Sequence, residues 1–179
     1  MKITGVETYV LEGKLGKQAF GWSQGVAEKR QSAICVINTD EGISGIGEAF
    51  FVGGPISIAA NVIKEAYAPL LIGRDPFDTA VIWDALYNRT RDQGRAGPTI
   101  SAISAIDIAL WDIKGKALGQ PVHKLLGGMY LNKAMVYATG LYQPQHVASV
   151  KDAMVDEALG YKKAGFPAMK LKVDYGSLA

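Results

Sequence analysis

The sequence predicts an α+β domain, a three-stranded antiparallel meander with a helical bundle, followed by the opening of a parallel α/β domain. Three observations carry this. From Ile3 to Phe51 apolar residues recur with the period of two that marks half-buried strands. From Ile56 to Leu126 the period lengthens to that of amphipathic helices. After Gly127-Gly128 a strand-like run, a helical run and a second strand-like run follow one another, the order of a βαβ unit with its parallel pair.

Composition narrows the class. The 179 residues carry a net charge of +2, with 49% hydrophobic and 20% charged residues. That suits one globular domain, or one domain and a piece of another. The near-neutral balance gives no electrostatic case for nucleic acid or an anionic membrane. The one cysteine, Cys35, lies in the apolar run Ala33–Ile37, so no disulfide framework is expected and a cytoplasmic location fits. Met1 leads straight into a strand pattern, with no signal peptide expected. No run approaches the ~18 apolar residues of a membrane span.

Lys2–Leu11 reads as the first strand. Glu12–Lys29 is Gly-rich and longer than a simple hairpin turn, and loops of that length in compact domains are usually functional or disordered. At its centre stand Gly21, Trp22, Ser23 and Gln24 behind Phe20. These residues either touch a ligand or tuck Trp22 against their own domain. Ser32–Asn38 is a strong strand, Thr39–Gly42 a hairpin turn and Ile43–Phe51 the third strand. Phe51, Val52, Gly53 and Gly54 open a second Gly-rich loop. Glu48 reads as a structural carboxylate at the sheet edge rather than a ligand contact.

Ile56–Tyr67 reads as a helix that Pro69 interrupts. Asp75-Pro76 reads as the cap and first residue of a second helix reaching about Asn88, with Phe77, Ala80, Val81 and Asp84 on one face. Thr99–Leu118 is the clearest helix, with Ile100, Ile103, Ile106, Leu110, Ile113 and Ala117 on one face. Ala102, Ala105 and Ala109 keep a second face small, so that another element can approach closely. Asp107 and Asp112 lie on different faces and read as surface or inter-element hydrogen-bonding groups. His123 has no second ligand at a metal spacing. Lys133–Thr139 reads as a strand, Gln145–Ala164 as a helix and Ala168–Val173 as the next strand.

That last strand poses the chemical question. Lys170 and Lys172 are two apart, so on a strand they share one face. Like charges on an otherwise apolar strand are costly without a task. Either they snorkel to solvent from a strand edge or they serve a site.

The run from Ala102 to Lys116 (Ala-Ile-Ser-Ala-Ile-Asp-Ile-Ala-Leu-Trp-Asp-Ile-Lys-Gly-Lys), then Pro121-Val122 and Leu125-Leu126-Gly127, resembles the signature helix of the mandelate racemase/muconate lactonizing enzyme group of the enolase superfamily. The order of elements and the Lys-x-Lys strand are similar too, as far as about Val173. The resemblance implies that residues 1–128 form that group's capping domain. Residues 129–179 would be the first βαβ of a (β/α)7β TIM-like barrel, incomplete here. It implies that Lys172 is the base that abstracts the proton α to a substrate carboxylate, with Lys170 the cation beside it. Chemistry in barrels sits at the C-terminal ends of strands, and this superfamily supports the enediolate with Mg²⁺. Gly21–Gln24, with Phe51 and Gly53, would belong to loops that close over the barrel mouth.

The metal's carboxylates are expected on the third to fifth barrel strands, outside this sequence, together with the second acid or base. The implied partner is a small-molecule carboxylate, and the implied assembly a homo-oligomer. The favoured activity is acid-sugar dehydration. Racemisation or epimerisation and cycloisomerisation share its first step. A reading of another class is a capping fragment that acts only as a folding or interaction module.

Overall fold

The computed structural model describes residues 1–23, 25–50, 54–93 and 95–173. The chain divides into two compact units, residues 1–11 with 31–130 and residues 12–30 with 131–179. No helix among the described residues is long and apolar enough to cross a membrane.

The first unit is built on a sheet of order β1 (Ile3–Lys14), β4 (Lys29–Thr39), β5 (Ser44–Ala49). β4 and β5 pair antiparallel from Ala33↔Ala49 to Asn38↔Ser44. The period-two pattern is realised in burial: Ala33, Cys35 and Ile37 are buried while Ile34, Val36 and Asn38 are only half-buried. Gly42, at φ 75°, makes the turn between β4 and β5, a conformation that glycine adopts without steric cost.

The helices cover the inner face. α1 (Ser57–Asn61), a π-helical turn (Val62–Tyr67) and α2 (Ala68–Leu71) run on without a break. Pro69 therefore does not interrupt the helix. Proline lacks an N–H and crowds the turn before it. The chain widens there instead, with the Ala68 N–H donating to the Ile63 carbonyl. Asp75-Pro76 forms a turn in which Asp75 Oδ1 accepts from the Phe77 N–H at 2.9 Å, and α3 starts later, at Thr79–Thr90. Its buried residues are Thr79, Ile82, Leu86 and Thr90. The face expected through Val81 points outward, with Val81 62% exposed, and the buried stripe runs through Ile82 and Leu86 instead.

α4 (Pro98–Leu118) is the central helix, ended by Gly119 in the left-handed region. Its Ala102, Ala105 and Ala109 are buried together with Ile103, Ile106, Leu110 and Ile113. β5 lies directly on that small face. A Cβ at Gly45 would fall on the Ala109 carbonyl oxygen, and one at Gly47 on the Ala105 carbonyl oxygen. Glycine is thus required twice in β5 for strand and helix backbones to touch. Asp112 reaches across to the same strand, accepting from the Ile46 N–H at 2.9 Å and pairing with Lys116 at 2.7 Å. Lys116 Nζ in turn donates to the Ser44 carbonyl. The expected inter-element role of Asp112 is met. α5 (Val122–Leu125) follows.

The second unit holds the excursion between β1 and β4. The expected loop is a hairpin, β2 (Phe20–Trp22) and β3 (Gly25–Ala27), after a short helical turn at Gly16–Gln18. β2 also pairs antiparallel with β7 (Gln143–Pro144). β6 (Ala138–Thr139) and β8 (Met169–Lys170) pair parallel, joined through α6 (Val150–Lys163). β6 is shorter than the run Lys133–Thr139 suggests: pairing spans two residues, and Met135 is 89% exposed. α6 starts five residues later than expected, because Gln143–Pro144 is taken by the hairpin and Ser149 caps the helix, accepting from the Asp152 N–H at 3.2 Å.

Candidate functional site

The residues with chemical potential in the second unit gather around one turn, Gly140-Leu141-Tyr142, which follows β6. Leu141 is buried and held at φ 53°, a left-handed conformation that leucine avoids. Its carbonyl accepts from the Lys172 N–H at 3.3 Å, so the chain just after β8 is tied to the turn after β6. Gly140 has no room for a side chain, since a Cβ there would meet the Tyr161 hydroxyl and the Glu157 carboxylate of α6.

Lys170 ends β8, opposite Thr139 of β6 in the register, and is exposed. Lys172 lies two residues on, half-buried. Its Nζ stands 5.5 Å from the centroid of the Tyr142 ring, a cation–π distance. Tyr142 packs on Phe20 of the hairpin, with centroids 4.6 Å apart. On Phe20 also rests the Arg30 guanidinium, at 4.7 Å. A cavity of about 430 Å³ opens beside these rings, lined among others by Lys17, Phe20, Arg30, Tyr142, Glu157 and Tyr161. Within it Tyr161 donates to Glu157 at 2.6 Å. That hydrogen bond, then burial, pushes the Tyr161 hydroxyl up from its ordinary range.

Gly21 and Trp22 lie in β2 and Ser23 in the turn after it. Gly21 faces Gln143 and Gln145, whose side chains would crowd any Cβ there. Trp22 is half-buried, tilted against Phe20 with centroids 6.2 Å apart. Gln24, Phe51 and Gly53 lie outside the described residues. Lys172 and the hairpin are thus brought together, through Tyr142, which sequence reasoning did not single out. Its only signal is an aromatic residue after a glycine at a strand end. Glu48 accepts from Ser32 Oγ at 2.6 Å, in keeping with a structural role. Among the described residues no three histidines, cysteines, aspartates or glutamates converge to hold a metal ion.

Comparison with known proteins gives a consistent picture. The model of the mandelate racemase/muconate lactonizing enzyme N-terminal domain matches residues 6–127. D-galactarolactone cycloisomerase of Agrobacterium fabrum is 40% identical over 176 residues, 98% of this chain and 45% of that enzyme. D-mannonate dehydratase of a Sphingomonas species is 38% identical over 144 residues, 80% of this chain and 34% of that enzyme. The crystal structure of the 3,6-anhydro-D-galactonate cycloisomerase from Zobellia galactanivorans superposes with a TM-score of 0.80 at 38% identity, covering 97% of this chain and 43% of that one. The chain thus spans less than half the length of the relatives it matches, and those relatives are enzymes. With its antiparallel sheet and helices formed by the matched residues, the chain belongs to the mandelate racemase/muconate lactonizing enzyme family of the enolase superfamily, of which it carries the N-terminal capping domain.

Proposed function

We propose that this chain supplies the capping domain, the first barrel strands and the general base of an enzyme that removes the proton α to the carboxylate of an acid sugar. In this reading residues 1–128 are the cap and residues 129–179 open the barrel. The observation that carries it is Lys172: a half-buried lysine just past the C-terminal end of a parallel strand, with its Nζ 5.5 Å from the centroid of the Tyr142 ring. C-terminal strand ends are where barrel enzymes do chemistry. Lys172, as the neutral amine, takes the α-proton on Nζ and becomes the ammonium. Lys170, the neighbouring cation, orients the substrate carboxylate and offsets the charge that develops there. The hairpin residues Gly21, Trp22 and Ser23 cover the substrate and exclude water, which strengthens those interactions; Gln24, Phe51 and Gly53, outside the described residues, keep the substrate-contact role the resemblance implies. A Mg²⁺ ion held by residues outside this stretch would support the enediolate as a Lewis acid.

Elimination of water and cycloisomerisation both begin with that proton. The relatives named as dehydratase and cycloisomerase support a sugar-acid substrate for this chain as well. In the full gene product, Lys172→Ala should reduce exchange of the substrate α-proton with deuterated solvent by about 10²–10⁴-fold. NMR of recovered substrate measures it, with circular dichroism as the control for folding. Exchange at the wild-type rate in the folded variant would remove Lys172 from the role.

A further inference from the structure

We propose that Tyr142 is a positioning residue, the aromatic seat that holds the Lys172 head group and ties it to the capping hairpin. This rests on the reading of Lys172 as the base. A lysine head rides on four methylenes with many rotamers, whereas proton abstraction needs its nitrogen about 3–3.5 Å from the reacting carbon. Something must narrow that freedom. The Tyr142 ring lies 5.5 Å from Lys172 Nζ, and the ring is itself held from several sides. Leu141 before it keeps a positive φ of 53° while buried. Backbone strain of that kind persists only where the surroundings over-determine it. Gly140 is closed in by α6, and the Leu141 carbonyl takes the Lys172 N–H. Tyr142 is therefore fixed relative to the Lys172 backbone as well as to its head group.

The other face of the arrangement is the hairpin. Phe20 packs on Tyr142 at 4.6 Å, with Arg30 on Phe20 at 4.7 Å. The same segment that carries Tyr142 hydrogen-bonds the hairpin: Phe20 pairs with Pro144, Gly21 with Gln143, and the Gln145 N–H donates to the Ala19 carbonyl at 3.1 Å. One turn thus references both the element expected to meet the substrate and the nitrogen expected to take its proton. A shift of the hairpin at Phe20 is felt at Lys172 through two stacked rings.

The first test needs no catalysis. The chain is reductively methylated with ¹³C-formaldehyde, and the Lys172 methyl signal is identified by its loss in Lys172→Arg. Methyl groups over a ring face move upfield, so the Lys172 signal should lie upfield of an exposed lysine such as Lys64. Tyr142→Phe, which keeps the ring, should retain the shift, and Tyr142→Leu should abolish it. A Lys172 signal at the exposed-lysine position in the wild-type chain, or one unmoved by Tyr142→Leu, overturns the proposal. Should Tyr142→Leu fail to fold, the wild-type signal and Phe20→Leu, which should weaken the shift, decide it. In the full gene product Tyr142→Leu should lower kcat for α-proton exchange about fivefold to tenfold with KM nearly unchanged, and Tyr142→Phe should restore it. An unchanged kcat in Tyr142→Leu overturns the positioning role. If Lys172→Ala retains exchange while the ring-current shift stands, it is the base assignment that fails.

Discussion

Asp107 shows how burial rather than sequence position sets a side chain's behaviour. It lies half-buried on α4, and burial pushes its carboxyl up from its ordinary value of 3.8, partly offset by the Lys114 ammonium. A folded-state value above the unfolded one means that the carboxyl contributes stability below about 3.8 and loses it as pH rises through the folded value. At pH 7 the ionised group is therefore a net cost. Asp107→Asn should raise the unfolding free energy at pH 7, read from urea titration, by less than about 1 kcal/mol because solvent screens a half-exposed group. The gain should vanish when the titration is repeated near pH 3. Cys35 is the extreme of the same effect: burial alone pushes its thiol up to about 12, so it stays protonated and inert in the folded sheet.

Between elements, the contact of β5 with α4 decides the first unit. The small face at Ala102, Ala105 and Ala109 announces in the sequence that something comes close. Gly45 and Gly47 are the answering residues, although in sequence they look like weaknesses of a strand. Only their pairing with helix carbonyls turns them from tolerated to required. Gly47→Ala drives a methyl into the Ala105 carbonyl oxygen, and the backbones cannot part without opening the core around Ile106 and Leu110. Chemical unfolding should report a loss of about 3 kcal/mol or more, at the upper end for overpacked sites. Gly42→Ala, with open space around it but positive φ, should cost about 1 kcal/mol.

Across the whole molecule the two units differ in what holds them. The first has a continuous buried cluster from Ile3 through Tyr67 and Leu86 to Ile113. In the second, the buried apolar side chains among the described residues are Ala19, Ala138 and Leu141. Amide protection follows burial and cooperative packing. Hydrogen exchange of the chain should leave amides in β4 and the middle of α4 protected about a hundredfold or more beyond those of β6 and β8. Equal protection in the two sets would mean that the parallel pair is stabilised as strongly as the capping core. The apolar side chains flanking that pair bear on the same point: Val136, Leu171 and Val173 are 57%, 51% and 70% exposed.

The sequence by itself determined the antiparallel strands followed by helices, the long helix over Thr99–Leu118 and the parallel pairing after Gly127-Gly128, because hydrophobic period and glycine placement act locally and repeat over many residues; the capping role came from the resemblance carried by Ala102–Lys116. It also singled out Lys170 and Lys172, since two charges in an apolar strand conflict with their surroundings. Tertiary structure decided what depends on residues far apart in the chain. Pro69 stays inside a helix because a π-helical turn absorbs it. The stripe of α3 falls on Ile82 and Leu86 because those residues face the core of the first unit. The run from Glu12 becomes a hairpin because Gln143 and Pro144 supply its third strand. Tyr142 emerges beneath Lys172 for the same reason. Its neighbours Phe20 and Lys172 are distant in sequence, and no periodic pattern can encode a contact made only when a strained turn brings three segments together.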